Sequence, residues 1–119
     1  MIVSVSTVHV LMDNPESAVA FYRDAVGLTV LNEVANGGFR WITLGVPGQP
    51  GPAIVLSEPH AGRSKDDVDA LAALLAKGEL RPIHLRFDDL DAAFVQIASA
   101  DGVAVLQEPM DQPWGIRDA

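Results

Sequence analysis

The chain has no cysteine, few basic residues and few aromatic rings. The absence of cysteine excludes thiol nucleophiles, thiolate metal sites and disulfides. Only eight lysine and arginine residues stand against 16 aspartate and glutamate residues, giving a formal net charge of −8 that repels a nucleic-acid backbone. We therefore expect no nucleic-acid partner, and chemistry that relies on other side chains, a metal or a bound cofactor.

Long apolar runs are also missing. No stretch approaches the roughly 20 apolar residues of a membrane span, and the opening sequence MIVSVSTV lacks the basic stretch of a signal peptide. A chain of 119 residues, 49% hydrophobic and 20% charged, is typical of one globular domain. We expect a single cytoplasmic domain with no membrane partner.

An internal repeat organises this domain. The sequence GLTVLNE at 27–33 returns as GVAVLQE at 102–108, an offset of 75 positions, and the same offset places His9 on His84. A duplicated unit predicts two similar halves that face each other, with a ligand-binding cleft between them.

The second copy is expected to be incomplete. At the same offset residue 119 corresponds to residue 44, so no equivalent of 52–58 follows. We divide the domain into a first module at 1–60, a connecting helix at 61–79 and a second, truncated module at 80–119.

Periodicity and capping residues predict the elements. A helix over 15–26 is bounded by Asn14 as its N-cap and Gly27 as its terminator, and a connecting helix over 66–77 follows Ser64. The other expected elements are strands over 3–12, 28–34, 38–44 and 53–57, then a strand over 83–87, a helix over 89–100, a strand over 103–108 and the beginning of a strand over 113–119. This order predicts an α+β fold of two βαβββ modules that pair around a cleft, the second incomplete.

Alternation along the strands assigns their faces. One set is expected to point to the helices: Val8, Val10, Met12, Ile83, Leu85 and Phe87. The other set is expected to point into the cleft: Thr7, His9, Leu11, Pro82, His84 and Arg86.

Three segments carry a resemblance to a known family. They are DNPESAVAFYRDAVGL at 13–28, IHLRFDDLDAAF at 83–94 and EPMDQPWGIRDA at 108–119. Together they resemble the vicinal oxygen chelate superfamily, the group of glyoxalase I, extradiol dioxygenases, fosfomycin-modifying enzymes and bleomycin resistance proteins. The resemblance covers nearly the whole chain and implies the fold more than the reaction, because this scaffold hosts many chemistries.

The resemblance also implies where a metal would bind. Catalytic members hold a divalent metal in the cleft with His, Gln or Glu, and the corresponding positions here are Thr7, Val55 and Pro82, with a last ligand on a strand that this sequence lacks. These three side chains do not suit a divalent ion. We therefore expect no cofactor; the alternative is a relocated divalent metal held by His9 and His84 with new partners.

Further candidates line the expected cleft. Arg40 and Trp41 are adjacent on a strand, so only one can face it: an arginine would grip an anion and a tryptophan would stack on a flat ligand, or both are structural. Arg86 lies two residues from His84 on the same predicted strand, so it is expected to face the cleft as well. Its guanidinium needs a hydrogen-bond acceptor, which is either a protein carboxylate, Glu33 or Glu108, or a ligand. The predicted ligand-binding residues are His9, Arg40, Trp41, His84, Arg86 and Trp114.

Two functions follow from these residues. The first is a protein that binds a small organic molecule between the modules without a metal, as a resistance or sequestration protein. The second is a metal-dependent lyase, isomerase or dioxygenase that uses His9 and His84. A third possibility is a non-catalytic domain with a shortened second half, whose unpaired sheet edge would pair with another copy, so we expect a homodimer.

Overall fold

A four-stranded sheet with a helix on one face makes up the first half of the computed structural model, which describes residues 1–60, 62–80 and 83–119. The strands are β1 (Thr7–Leu11), β2 (Thr29–Asn36), β3 (Phe39–Gly45), β4 (Ala53–Ser57), β5 (Met110–Asp111) and β6 (Arg117–Asp118). The helices are α1 (Pro15–Val19), continued by a π-helical segment (Ala20–Val26), α2 (Lys65–Ala76) and α3 (Leu90–Ala98). The predicted α+β class is confirmed. None of the helices within the described ranges has the length and apolar character that a membrane crossing needs.

The strands of the first half lie in the order β1-β4-β3-β2. β4 pairs in parallel with β1 and antiparallel with β3, so it joins the start of the chain to the β2–β3 hairpin. Two glycines with positive φ, Gly37 at 61° and Gly38 at 84°, form the turn of this hairpin.

The first helix forms where its caps predict it. Asn14 Oδ1 accepts a hydrogen bond from the Ser17 backbone N–H at 3.1 Å, and Gly27 ends the π-helical segment with a φ of 96°. One face of this helix covers the sheet and closes the core. The core residues are Met12, Val19, Leu28, Ile42, Leu44, Ile54 and Leu56, with Val10, Tyr22 and Ile83 packed against them.

The predicted first strand over 3–12 is longer than the observed one. β1 covers only the five residues that pair with β4, and Ile2, Val3 and Val5 before it are exposed. Since β4 is the only strand beside β1 within the described ranges, and it pairs only with Thr7–Leu11, the residues before Thr7 have no strand to pair with.

The predicted strands over 83–87 and 103–108 are wrong, because neither segment pairs with a strand. In the first half β1 is held by β4, and the part of the second half that the structure describes has no strand in the position of β4. The segment over 113–119 contributes only the two residues of β6, which pair with β5. The expected repeat of the hairpin is therefore present but short.

The two halves meet through their helices. α3 is capped by Asp89, whose side chain accepts from the Ala92 N–H at 3.1 Å, and it packs against the π-helical segment. Gln96 Nε2 donates to the Ala25 carbonyl at 3.5 Å across this contact. Arg117 ties β6 to α3 through Asp91, with Nη2 2.8 Å from Oδ1. The pairing of two modules around a common cleft remains a prediction.

Candidate functional site

The sheet face away from the first helix carries side chains that are mostly half-buried or exposed, and we call it the open face. Alternation places Ile42, Leu44, Ile54 and Leu56 on the buried side of β3 and β4, so their neighbours along each strand point the other way. On β1, Val10 and Met12 pack in the core and His9 is exposed, as predicted, whereas Val8, which was expected to face the helices, is 43% exposed.

Strand register arranges the open face in rows. One row runs from His9 through Val55 and Thr43 to Asn32. With adjacent strands about 4.8 Å apart, the row places imidazole, hydroxyl and amide groups across about 14 Å. The His9 ring has a polar neighbour on its own strand, because its Nε2 lies 3.5 Å from Thr7 Oγ1.

The next row supplies apolar surface. It runs from Leu11 through Ser57 and Trp41 to Val34. Ser57 is buried in this row, while Trp41 is only half-buried and presents part of its indole ring on the open face. His9 and Trp41 are two strands and two residues apart, about 12 Å, a separation that a drug-sized molecule spans.

A pocket of about 320 Å³ opens at one end of this face, and we call it the loop pocket. Its lining residues are Leu31, Gly45, Val46, Gln49, Gly51, Pro52 and Ala53. The register between β2 and β3 shifts between Val30 and Asn32, which places Leu31 in a β-bulge. The bulge directs Leu31 over Gly45, where an added Cβ would lie 2.8 Å from Leu31 Cδ1.

Arg40 lies on the other face of the sheet. It shares the parity of Ile42 and Leu44, its Nε donates to Glu33 Oε1 at 2.6 Å, and its guanidinium also pairs with Glu16 on α1. These carboxylates, Glu16 first, raise the pKa of Arg40. Of the adjacent pair, Trp41 therefore faces the open side, and Arg40 joins the sheet edge to the first helix.

The remaining predicted residues lie in the second half. His84 and Arg86 are exposed on the segment 83–87, which forms no strand, so the strand that was expected to point them into the cleft is absent there. His84 lies near Asp118, whose carboxyl pKa is lowered by hydrogen bonds from Gln112 and Gln107 and, to a smaller degree, by His84. Trp114, in the turn between β5 and β6, is 69% exposed. Pro82 lies outside the described residues.

The donor groups do not fit a metal site. Over residues 1–60, 62–80 and 83–119, no three side chains of His, Cys, Asp or Glu come close enough together to hold an ion. Thr7 and Val55, two positions that the resemblance assigns to metal ligands, flank His9 along the strand and across the sheet. A hydroxyl and an isopropyl group do not complete a divalent site around one imidazole.

Sequence reasoning missed the part of the site that surrounds the loop pocket. The proline- and glycine-rich stretch 46–52 predicted a loop, but nothing in the sequence signals that Leu31 occupies a bulge. Thr43 and Asn32 were missed because both are ordinary polar residues within strands. For Thr43, the available signal was its alternation with Ile42 and Leu44 along the strand.

Comparison with known proteins gives consistent results. The profile of the Glyoxalase/Bleomycin resistance protein/Dioxygenase superfamily matches residues 4–118. The structure of UcmS2 is similar at 28% identity and a TM-score of 0.83, covering 96% of this chain and 86% of that one. TnmS3, an antibiotic binding protein from Streptomyces sp. CB03234, is also 28% identical, with a TM-score of 0.67 and coverage of 96% and 82%. No match was found among curated proteins.

A more distant structure shares the fold. A superfamily member from Sphaerobacter thermophilus DSM 20745 is 21% identical, with a TM-score of 0.67 over 98% of this chain and 85% of that one. At this identity the likeness concerns the architecture alone.

Proposed function

Because this chain belongs to the glyoxalase/bleomycin resistance protein/dioxygenase superfamily, we propose that it binds a small, flat organic molecule of the antibiotic type on its open face, without a metal ion. The observation that carries the proposal is the register that puts His9 and the half-buried Trp41 on one uncovered sheet face beside the loop pocket. The similarity to TnmS3, an antibiotic binding protein, supports the ligand class.

Each part of the open face has a role in this proposal. Trp41 stacks on the flat part of the ligand, since an indole offers a large apolar surface at low entropic cost. His9, Thr43 and Asn32 supply hydrogen-bonding groups that fix its orientation. The net charge of −8 favours neutral or cationic ligands over anions.

Binding without a metal is proposed because too few side chains that could ligate a metal surround His9. His9 has Thr7 and Val55 as its neighbours on the open face, and a catalytic zinc site normally has three protein ligands. The chemistry of the proposed site is therefore recognition by stacking, apolar contact and hydrogen bonds. Binding that requires added metal would favour the alternative, a metal-dependent enzyme that uses His9 and His84.

Gly45 offers a test of the loop pocket. A Gly45→Val substitution is expected to lower affinity for proflavine, a flat cationic tricyclic probe, by about three- to tenfold, because the new side chain displaces Leu31 and fills pocket volume. Stability should change little, since Leu31 is 60% exposed and free to move. Isothermal titration calorimetry measures the affinity.

The matched control for Gly45 is Gly51→Ala. Gly51 lines the same pocket, but an added Cβ meets nothing within 4 Å. Affinity within about twofold of the parent is expected for this variant. Equal losses in both variants would show that the effect does not come from displacement of Leu31, and no loss in Gly45→Val would show that the probe does not use this pocket.

We also propose that the protein is a homodimer in which a second copy covers apolar surface left open here. The accessible surface is 8524 Å², against about 6,200 Å² expected for a compact monomer of 12.6 kDa. The exposed apolar residues of the second half are Val95, Val105, Leu106, Met110, Trp114 and Ile116. An excess of about 2,300 Å² per protomer, or about 4,600 Å² for two, lies within the total area that obligate dimers bury.

Size-exclusion chromatography with light scattering tests the assembly. At micromolar concentration the mass should be twice 12.6 kDa. A monomer at that concentration would contradict the dimer while leaving the open-face site to be tested on its own. His84, Arg86 and Trp114 contribute to the site only if a second copy brings them to the open face. The cytoplasmic location of the protein stays a prediction.

A further inference from the structure

A second cavity lies at the opposite end of β1 from the loop pocket. Its volume is about 250 Å³, and its walls are Val10 to Asp13 at the end of β1, Tyr22 of the π-helical segment, and Leu75 and Leu80 on and just after α2. Thr7 marks the loop-pocket end of β1, next to Ala53, and Leu11 marks the other end. The two ends are about 13 Å apart at 3.3 Å per residue. We call this second space the β1–α2 cavity.

The cavity exists because α2 is loosely seated. Val68 is the only residue of α2 that is buried; Leu71 and Leu75 are half-buried, and Leu74 is 38% exposed. The helix therefore lies over the end of β1 without filling the space beneath it. A cavity of about 150 Å³ with aliphatic walls is large enough to bind benzene, so about 250 Å³ admits one ring with a short chain.

The walls define the chemistry of an occupant. Leucine, valine and methionine side chains supply an apolar interior, and Tyr22 contributes a hydroxyl that can donate or accept a hydrogen bond. Burial raises the pKa of the Tyr22 phenol further above physiological pH, at which a phenol is already neutral. Asp13 is exposed and contributes a carboxylate at the rim.

The negative charge of the protein favours some apolar ligands of the cavity over others. A carboxylate at the mouth of an apolar cavity attracts an ammonium group, and the net charge of −8 acts in the same direction. A carboxylate-bearing occupant meets repulsion from both. A neutral molecule of the same shape gains only the apolar contacts.

We propose that the β1–α2 cavity binds a small primary amine that carries one ring, with the ring between β1 and α2 and the ammonium group at Asp13. This site is separate from the open face and does not depend on the function proposed for that face. Its ligand is a single-ring amine, whereas the open face takes a larger flat molecule.

Three probes of one size test the proposal. Binding of 2-phenylethylamine, 2-phenylethanol and 3-phenylpropionate is followed by ¹⁵N-HSQC titration of the full chain. The amine is expected to bind best and the carboxylate worst, with shifts at the amides of Met12, Tyr22 and Leu75. Equal binding of all three, or shifts confined to the open face, would overturn the proposal.

Variants then separate charge from shape. Asp13→Asn should weaken amine binding by about three- to fivefold and leave alcohol binding unchanged, which is the size of effect expected for one solvated charge pair. Leu75→Trp should abolish binding of the amine and the alcohol by filling the cavity. Leu74→Trp places the same ring on the exposed side of α2 and should leave both affinities within about twofold of the parent.

Two outcomes would count against the cavity. If Asp13→Asn binds the amine as the parent does, the carboxylate is not the recognition group. If Trp41→Ala removes amine binding, the amine occupies the open face. The Asp13 variant changes an exposed side chain, so it keeps the test decisive even if the larger substitution at Leu75 prevents folding.

Discussion

Replacing Leu44 by alanine is expected to lower the free energy of unfolding by about 3 to 5 kcal/mol. Leu44 is fully buried in β3, paired with Val30 of β2 and Ile54 of β4, and it belongs to the core cluster under the first helix. The substitution removes three carbons and leaves a cavity that the surrounding strands cannot close. Urea denaturation followed by circular dichroism measures the change.

The loss at Leu44 is large relative to the stability of a small domain, which is about 5 to 15 kcal/mol. Val34→Ala is the matched control, because Val34 lies on the open face of the same sheet and is 47% exposed. Its substitution should cost less than about 1 kcal/mol. Equal losses for the two variants would contradict the assignment of buried and open faces.

Trp41→Ala is expected to weaken proflavine binding by about 10- to 100-fold, the largest effect on affinity that we predict. The substitution removes the indole ring that stacks on the probe together with its apolar contact area. Isothermal titration calorimetry on the folded variant gives the ratio. The side chain is half-buried and lies outside the core cluster, so the variant should fold.

Trp41→Phe serves as the matched variant for this position. A phenyl ring keeps a flat apolar surface in the same place, so affinity should fall by less than about fivefold. Full binding by Trp41→Ala would show that the probe does not use this ring. A loss of the same size in both variants would point to a structural role for the indole.

The first half of the fold was predictable because its signals are local. Asn14 and Gly27 bound the first helix, and alternation in 38–44 and 53–57 marks two strands whose partners lie beside them. In the second half the predicted helix over 89–100 forms as α3, but the strands were not predictable, because a strand depends on a partner. The alternation of apolar and polar residues in 83–87 matches that of β1. A strand also needs a neighbouring strand to pair with, and the alternation does not show whether such a neighbour exists.

The site was partly predictable for a related reason. Alternation along β3 required Arg40 and Trp41 to take opposite faces, although the sequence did not say which of the two would share the face of His9. The contact of Arg40 with Glu16 and Glu33 decides it, since those residues are 24 and seven positions away in the chain. The bulge at Leu31 also arises from pairing with β3, so it has no local signature.

The proposed ligand is an organic molecule that binds on the open face beside Trp41 without a metal. In a Trp114→Phe variant Trp41 is the only tryptophan, so its fluorescence reports on that face alone. Titration with proflavine should quench this fluorescence to saturation, with the same dissociation constant before and after treatment with EDTA. Absence of saturable quenching, or quenching that is lost with EDTA and restored by added zinc, nickel, iron or manganese, would contradict the account.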